Sequence, residues 1–348
     1  MSTNTMVTDM KKKAELPLVD PLFSTYHSLG PCTAIAANNP SIRNWYLNET
    51  ATLMCSRKFL NGFTSPEIFI PYAAWWDCPH FEVLELSSQF LKGYTSYVIR
   101  EMIDQGYYVL FSNVDDYYVE GKSWYKEHHF SHDGMICGYD QEKKSYCIYA
   151  YDSRWIYQKF WTSQKSFNAG CRAMIRQGIF PVFYALKVND EKIELMPHVM
   201  CNNLKKYLDS NLEKYPFEGD GDVFGIVVHL YIAEYVDKLY KGEIPYERMD
   251  RRVFRAIWEH KKVMLERIKA IEKTLCLGCQ ISSKYADLVS EADTMRMLYA
   301  SHNKKRRDSV LLLIKKKLLQ IMEAERDLLN ELIVEMERSF VNGIVGIS

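Results

Sequence analysis

Near Pro197 the spacing of apolar residues changes from a period of two to a period near 3.6. That switch restricts the chain to an α+β architecture in which a sheet precedes a set of helices. Ahead of it, short runs rich in Tyr, Val, Ile and Phe predict strands at Tyr107–Ser112, Gly134–Tyr139, Tyr146–Tyr151, Ile179–Leu186 and Lys192–Leu195. Turn residues punctuate them at Asn113–Asp116, Asp140–Lys144 and Val188–Asp190. Beyond Pro197, four stripes recur at helical spacing. They run Phe224–Leu239, Ile257–Leu275, Ile281–Met295 and Leu311–Met336, with breaks at Glu218–Asp222 and Lys241–Pro245. The expected organisation is a flexible tail over residues 1–20, an α+β domain with an antiparallel sheet over 21–196, and a helical domain over 197–348.

With 348 residues, 47% of them hydrophobic and 25% charged, the composition is that of a globular protein. A formal net charge of zero gives no reason to expect nucleic-acid or membrane partners. The start of the chain, MSTNTMVTDMKKKAELP, has no apolar stretch of signal type, and the nine cysteines are scattered and odd in number. These features predict a cytoplasmic location with free thiols. The 24 tyrosines suit the walls of a pocket for polar or aromatic organic groups.

Two segments carry chemistry. In His132–Asp152, HDGMICGYDQEKKSYCIYAYD, two apolar runs flank a polar turn centred on residue 142, the signature of an antiparallel hairpin. Without a bulge, His132 and Asp152 stand directly opposite with side chains on one face, so that the carboxylate accepts the imidazole N–H. In HSLGPCTAIAAN, Pro31 fits the first turn of a helix and puts Cys32 among the unpaired N–H groups of its start. That position favours the thiolate and supplies donors for an oxyanion. Cys32, His132 and Asp152 together read as nucleophile, base and orienting acid, although each alone has a plainer use as buried thiol, half-buried histidine or turn cap.

His128 and His129 rank behind His132 as base. Three histidines within five residues raise a metal site, but no second ligand pair follows at standard spacing, so none is expected. Cys276-Leu-Gly-Cys279 has no partner pair and reads as two unrelated thiols. Lys304–Arg307 and Lys315–Lys317 make one helix end basic, ordinarily a solvated face and alternatively a patch for an acidic partner. No phosphate-binding glycine loop occurs, which points away from ATP-driven ligation and toward a preactivated substrate.

The order Cys, His, Asp and the string H-x5-G-Tyr-Asp resemble papain-like enzymes, including the bacteriocin-processing double-glycine peptidases. More specifically, NVDDYYVEGKSWYKEHHFSHDGMICGYD followed by YAYDS resembles the family named for the butirosin biosynthesis acyltransferase, over roughly residues 22–190. The overall layout is similar to that of the amide-forming cysteine enzyme of closthioamide biosynthesis. The resemblance implies a papain-like cysteine protease fold and acyl transfer in thiotemplated, nonribosomal biosynthesis. An acyl group on the 4'-phosphopantetheine of an acyl or peptidyl carrier protein passes to Cys32 and then to an amine or diamine. No cofactor is bound. The rival it leaves open is a cysteine peptidase of the double-glycine leader type; an inert scaffold is a third possibility. Pro31 stands where that family often has a His before the Cys. Tyr26 stands where papain-like hydrolases have an oxyanion Gln, which leaves Tyr26 and His27 as candidate donors. Asp115 and Asp116 are candidates to attract a cationic amine. Tyr117 and Trp155, with Trp75, Trp76, Tyr118 and Trp124, are candidates to line a dry aromatic pocket.

Overall fold

In the computed structural model, the described residues are 11–61, 65–91, 93–211, 215, 219, 221–304 and 307–343. In chain order the elements begin with β1 (Lys13–Glu15), α1 (Gly30–Ala37), α2 (Pro40–Glu49), β2 (Met54–Ser56), β3 (Phe81–Ser87), α3 (Ser88–Leu91) and α4 (Thr95–Asp104). Then come β4 (Tyr108–Asp115), β5 (Ser131–Asp140), β6 (Ser145–Tyr151), β7 (Tyr157–Ser163), α5 (Gln164–Arg176) and β8 (Val182–Val188). The remainder is α6 (Pro197–Leu208), β9 (Asp222–Phe224), α7 (Val228–Tyr240), α8 (Val253–Thr274), α9 (Ile281–Lys304) and α10 (Asp308–Val341). The architecture is α+β, an antiparallel sheet in the N-terminal half followed by a mostly helical region.

The chain divides into two units, the first comprising residues 1–38 and 79–191, the second 39–78 and 192–348. The expected boundary near 196 therefore lacks one excursion: residues 39–78 belong with the helices. Their backbone is held there by buried side chains. Arg267 of α8 donates to Leu47 O at 2.7 Å, His260 Nε2 lies 2.8 Å from Ala51 O, and β2 pairs antiparallel with β9. The strand expected at Lys192–Leu195 does not form. Its carbonyls serve α2 instead, Ile193 O accepting from Asn44 and Glu194 O from Asn48.

The sheet of the first unit runs β3-β8-β4-β5-β6-β7, with β1 paired to β5. Alternation sorts its side chains. Val109 and Phe111 of β4 with Tyr146, Ile148 and Ala150 of β6 join Ile99 and Ile103 of α4 and Phe167 and Cys171 of α5 in one buried cluster. Burying a Phe or Ile of this kind is worth about 1.5–3 kcal/mol. Residues of the other parity carry hydroxyls that hold the segment before α1. Tyr108 donates to Pro17 O at 2.5 Å, Tyr149 to Val19 O at 3.3 Å and Tyr151 to Ser24 O at 2.8 Å. The abundance of tyrosine thus has a local use: it threads residues 17–24 across the sheet toward Cys32.

The expected tail is ordered where it is described, residues 1–10 lying outside the described residues. Ala14 pairs with Tyr139 and Glu15 with Gly138, and Leu16 N donates to Cys137 O at 2.7 Å. Gly138 permits this approach, because a Cβ there meets Ala14 O at 2.7 Å.

Candidate active site

Cys32 enters the first turn of α1 from a tight turn in which Leu29 N and Gly30 N both donate to Tyr26 O at 3.0 Å. Pro31 occupies the first helical turn, where its missing N–H costs nothing. The thiol is fully buried, with Sγ 3.1 Å from Leu29 O and 3.3 Å from Ser28 O. Thr33 anchors the same turn, donating to Leu29 O and Phe23 O at 2.8 Å. Gly30 is required by packing, since a Cβ there runs into the ring and hydroxyl of Tyr157. Burial pushes the Tyr157 phenol well above its ordinary value, and Tyr149, Tyr151 and Cys32 push it further.

His132 lies near the start of β5, opposite Val114 of β4. Its Nδ1 is 2.8 Å from Oδ2 of Asp116, a carboxylate 1% exposed. The expected partner, Asp152, is engaged elsewhere. It accepts from Arg154 N at 2.8 Å, Ile156 N at 2.9 Å and the Gln158 amide at 2.6 Å, and it pairs with the Arg154 guanidinium at 3.2 Å. Burial raises this carboxyl, but those donors more than offset it, so its pKa falls below the ordinary value. The pairs Met135↔Tyr149 and Ile136↔Ile148 do keep the register that puts residue 132 opposite 152. Nearer the turn, an irregularity between Ile136 and Gly138 shifts it. What differs from expectation is the end of the strand: β6 stops at Tyr151, and Asp152 turns its carboxylate into the following turn.

Asp116 reaches His132 because β4 is irregular. The register slips between Phe111 and Val114, where Asn113 adopts a left-handed φ of 57°. Beyond it a single turn of 3-10 helix, Asp116–Tyr118, carries the carboxylate back over β5. Asp115 caps that turn, accepting from Tyr117 N at 3.1 Å and Phe130 N at 3.2 Å, and its Oδ2 is 2.7 Å from His129 Nδ1. Two consecutive carboxylates thus brace two histidines, of which His129 is 61% exposed and His132 21%.

Two further groups complete the cluster. Lys122 is buried, with Nζ 3.6 Å from Asp116 Oδ1 and 3.3 Å from Asp133 O. Burial lowers its pKa, opposed by Asp116 and Asp133. His27 packs its ring against that of His132, centroids 4.2 Å apart at 79°, with Tyr151 and Tyr157 as further walls. Burial first, then Lys122 and His132, hold its pKa well below the usual value, so the ring is neutral. Lys122 has no sequence motif, and only the short spacing Asp-x5-Lys after Asp116 hints at it.

Of the other candidates, Tyr26 closes the turn before α1 through its carbonyl, and Tyr117 stacks on His129 at 4.3 Å rather than on His132. Trp155 is 54% exposed and meets Trp124 edge to face, while Trp124 also touches Phe130, whose ring lies 5.1 Å from His132. Trp75 and Trp76 pack on one another in the second unit. His128 packs on Trp124. Among the described residues, no group of three or more His, Cys, Asp or Glu is arranged to hold a metal ion, and no helix is long and apolar enough to cross a membrane. None of the nine cysteines is joined in a disulfide, Cys276 being exposed and Cys279 half-buried. In the basic run, Lys305 and Arg306 lie outside the described residues, while Lys315 and Lys317 pair with Asp237 and Glu291.

A thiol in a helix's first turn and a carboxylate-braced imidazole are the parts of covalent catalysis through sulfur, and His27 comes five residues before Cys32 in the chain. It lies in the turn whose Ser28 and Leu29 carbonyls border the Cys32 sulfur, and its ring stands against His132. No protein-family model and no curated protein matches the chain.

Proposed function

We propose that the protein is a cysteine-dependent acyltransferase with a papain-like catalytic unit, acting in the cytoplasm. In this proposal an acyl group arrives as a phosphopantetheine thioester on a carrier protein, passes to Cys32, and leaves on an amine as an amide. The observation that carries the proposal is the His132–Asp116 pair beside the turn that leads into Cys32. His132 takes the Cys32 proton as sulfur attacks the thioester carbonyl, then gives it to the departing pantetheine thiolate. The incoming amine attacks the Cys32 thioester, loses its proton to His132, and the Cys32 thiolate departs. Asp116 supports the imidazolium formed in each half-reaction. Exchange of one thioester for another is nearly balanced, and amide formation drives the second half to completion.

Incubation with an acylated carrier protein, followed by intact-protein mass, tests this. The expected product carries one acyl group, lost in Cys32→Ala and retained in Cys55→Ala, whose thiol burial and Asp222 push up to about 12. Peptide cleavage by Cys32 without any acyl loading overturns the acyltransferase assignment in favour of a peptidase.

A further inference from the structure

We propose that His27 is the side-chain donor that holds the acyl oxygen while Cys32 attacks, an assignment that rests on Cys32 being the nucleophile. Two imidazoles lie in contact, and their surroundings divide the work. His132 has a carboxylate on Nδ1 and is partly open to solvent, the setting of a group that accepts and returns protons. His27 has no carboxylate. Its Nδ1 is buried and makes no hydrogen bond among the described residues, so the fold leaves this polar atom unused. Burial, Lys122 and His132 keep the ring uncharged. A neutral imidazole still carries one N–H, and it donates that N–H without surrendering the proton. Tyr151 and Tyr157 hold the ring against rotation, so the donor is positioned before the substrate arrives.

The step balances as follows. The sulfur of Cys32 forms a bond to the acyl carbon while His132 holds the thiol proton. The carbonyl π pair moves onto oxygen, which accepts a hydrogen bond from His27. On collapse the carbonyl re-forms, the bond to the pantetheine sulfur breaks, and His132 protonates that sulfur. His27 ends as it began.

Addition of an aldehyde separates this role from a structural one. A carbonyl-labelled butanal adds to the Cys32 thiol as a hemithioacetal, which places an oxygen where the tetrahedral intermediate does. Alkylation of Cys32 by iodoacetamide builds no such oxygen and reports the thiol and the fold alone. In His27→Phe, butanal affinity read by carbon NMR is expected to fall by about tenfold or more while the alkylation rate stays within about twofold of wild type. His27→Gln, with an amide N–H, is expected to recover most of the affinity. Unchanged butanal affinity in His27→Phe overturns the assignment, as does a parallel fall in alkylation. If the Phe variant does not fold, His27→Met replaces it under the same criteria. A wild-type protein that neither adds butanal nor is alkylated at Cys32 rejects Cys32 as nucleophile, and His27 with it.

Discussion

At His132 the partner carboxylate comes from the 3-10 turn that follows β4, 16 residues upstream, not from the residue that follows β6. Spacing on an unbulged hairpin put 132 opposite 152, but the turn pairs Asp140 with Ser145, and the register of 132 against 152 holds only beyond the irregularity between Ile136 and Gly138. A register fixes which residues stand opposite, not where a carboxylate just past a strand's end points. Asp152 is claimed by the backbone N–H groups of Arg154 and Ile156, a demand invisible until β6 is seen to end at Tyr151. Asp116 was legible only as half of an acidic pair. Its path to His132 depends on the slip at Asn113, which no local pattern announces. The two carboxylates therefore separate in a direct test. Asp116→Asn is expected to slow acyl loading of Cys32 by at least about a hundredfold, since the imidazolium loses its counter-charge. Asp152→Asn is expected to leave loading within about threefold, and to cost about 1–3 kcal/mol of stability through the turn it organises.

At the scale of elements, the strands read correctly are those bounded by clear turns, β4, β5, β6 and β8. Those missed have other causes. β3 is mostly exposed and so lacks the apolar contrast of a half-buried strand, and β7 carries Gln158 and Lys159 amid its aromatics. β1 is Lys-Ala-Glu, two of its three residues charged, and it is held by pairing to β5 with Ala14 alone of its side chains against the core. Backbone pairing without side-chain signal is what a reading of periodicity cannot see. A single methyl group tests whether β1 is fixed in this way. Gly138→Ala sets a Cβ against Ala14 O, so β1 must leave β5 or distort it. Trypsin cleavage after Lys11–Lys13 is expected to accelerate at least about tenfold in this variant, read by the rate of loss of the intact N-terminus. Equal rates place the holding force elsewhere in residues 11–24.

At the largest scale, the stripes predicted for α7–α10 gave the helical unit's apolar faces but not the charge at its centre. Glu325 of α10, fully buried, accepts from Tyr207 of α6 at 2.7 Å, from Tyr285 of α9, and from Lys261 of α8 at 2.5 Å. Burial raises the Glu325 carboxyl, and Lys261 foremost pulls it below the ordinary range, while burial lowers Lys261 itself. Such a pair stabilises little net, yet removing one partner strands a charge. Lys261→Met is therefore expected to cost about 3–5 kcal/mol in urea unfolding. Beside this pair sit His229 and His260, both buried and both neutral, with burial and then Lys261 lowering them, His229 to about 3. Below the ordinary histidine value near 6.5 the unfolded chain binds protons that these folded imidazoles refuse. Stability is thus fully present above about pH 6.5 and is lost as pH falls toward 3, by up to about 1.4 kcal/mol per pH unit for each histidine. Glu325 extends the loss from about 4.5 downward, whereas Lys261 is protonated in both states there and adds no slope. Urea midpoints followed from pH 7.5 to 5 are expected to fall steadily in the wild type. In His229→Gln/His260→Gln the fall over the same interval is expected to be clearly shallower, because the double variant removes two of the proton-binding sites of the unfolded chain, while buried His27 keeps a residual slope. A wild-type midpoint that does not move between pH 6.5 and 5 means that those two rings reach solvent in the folded protein.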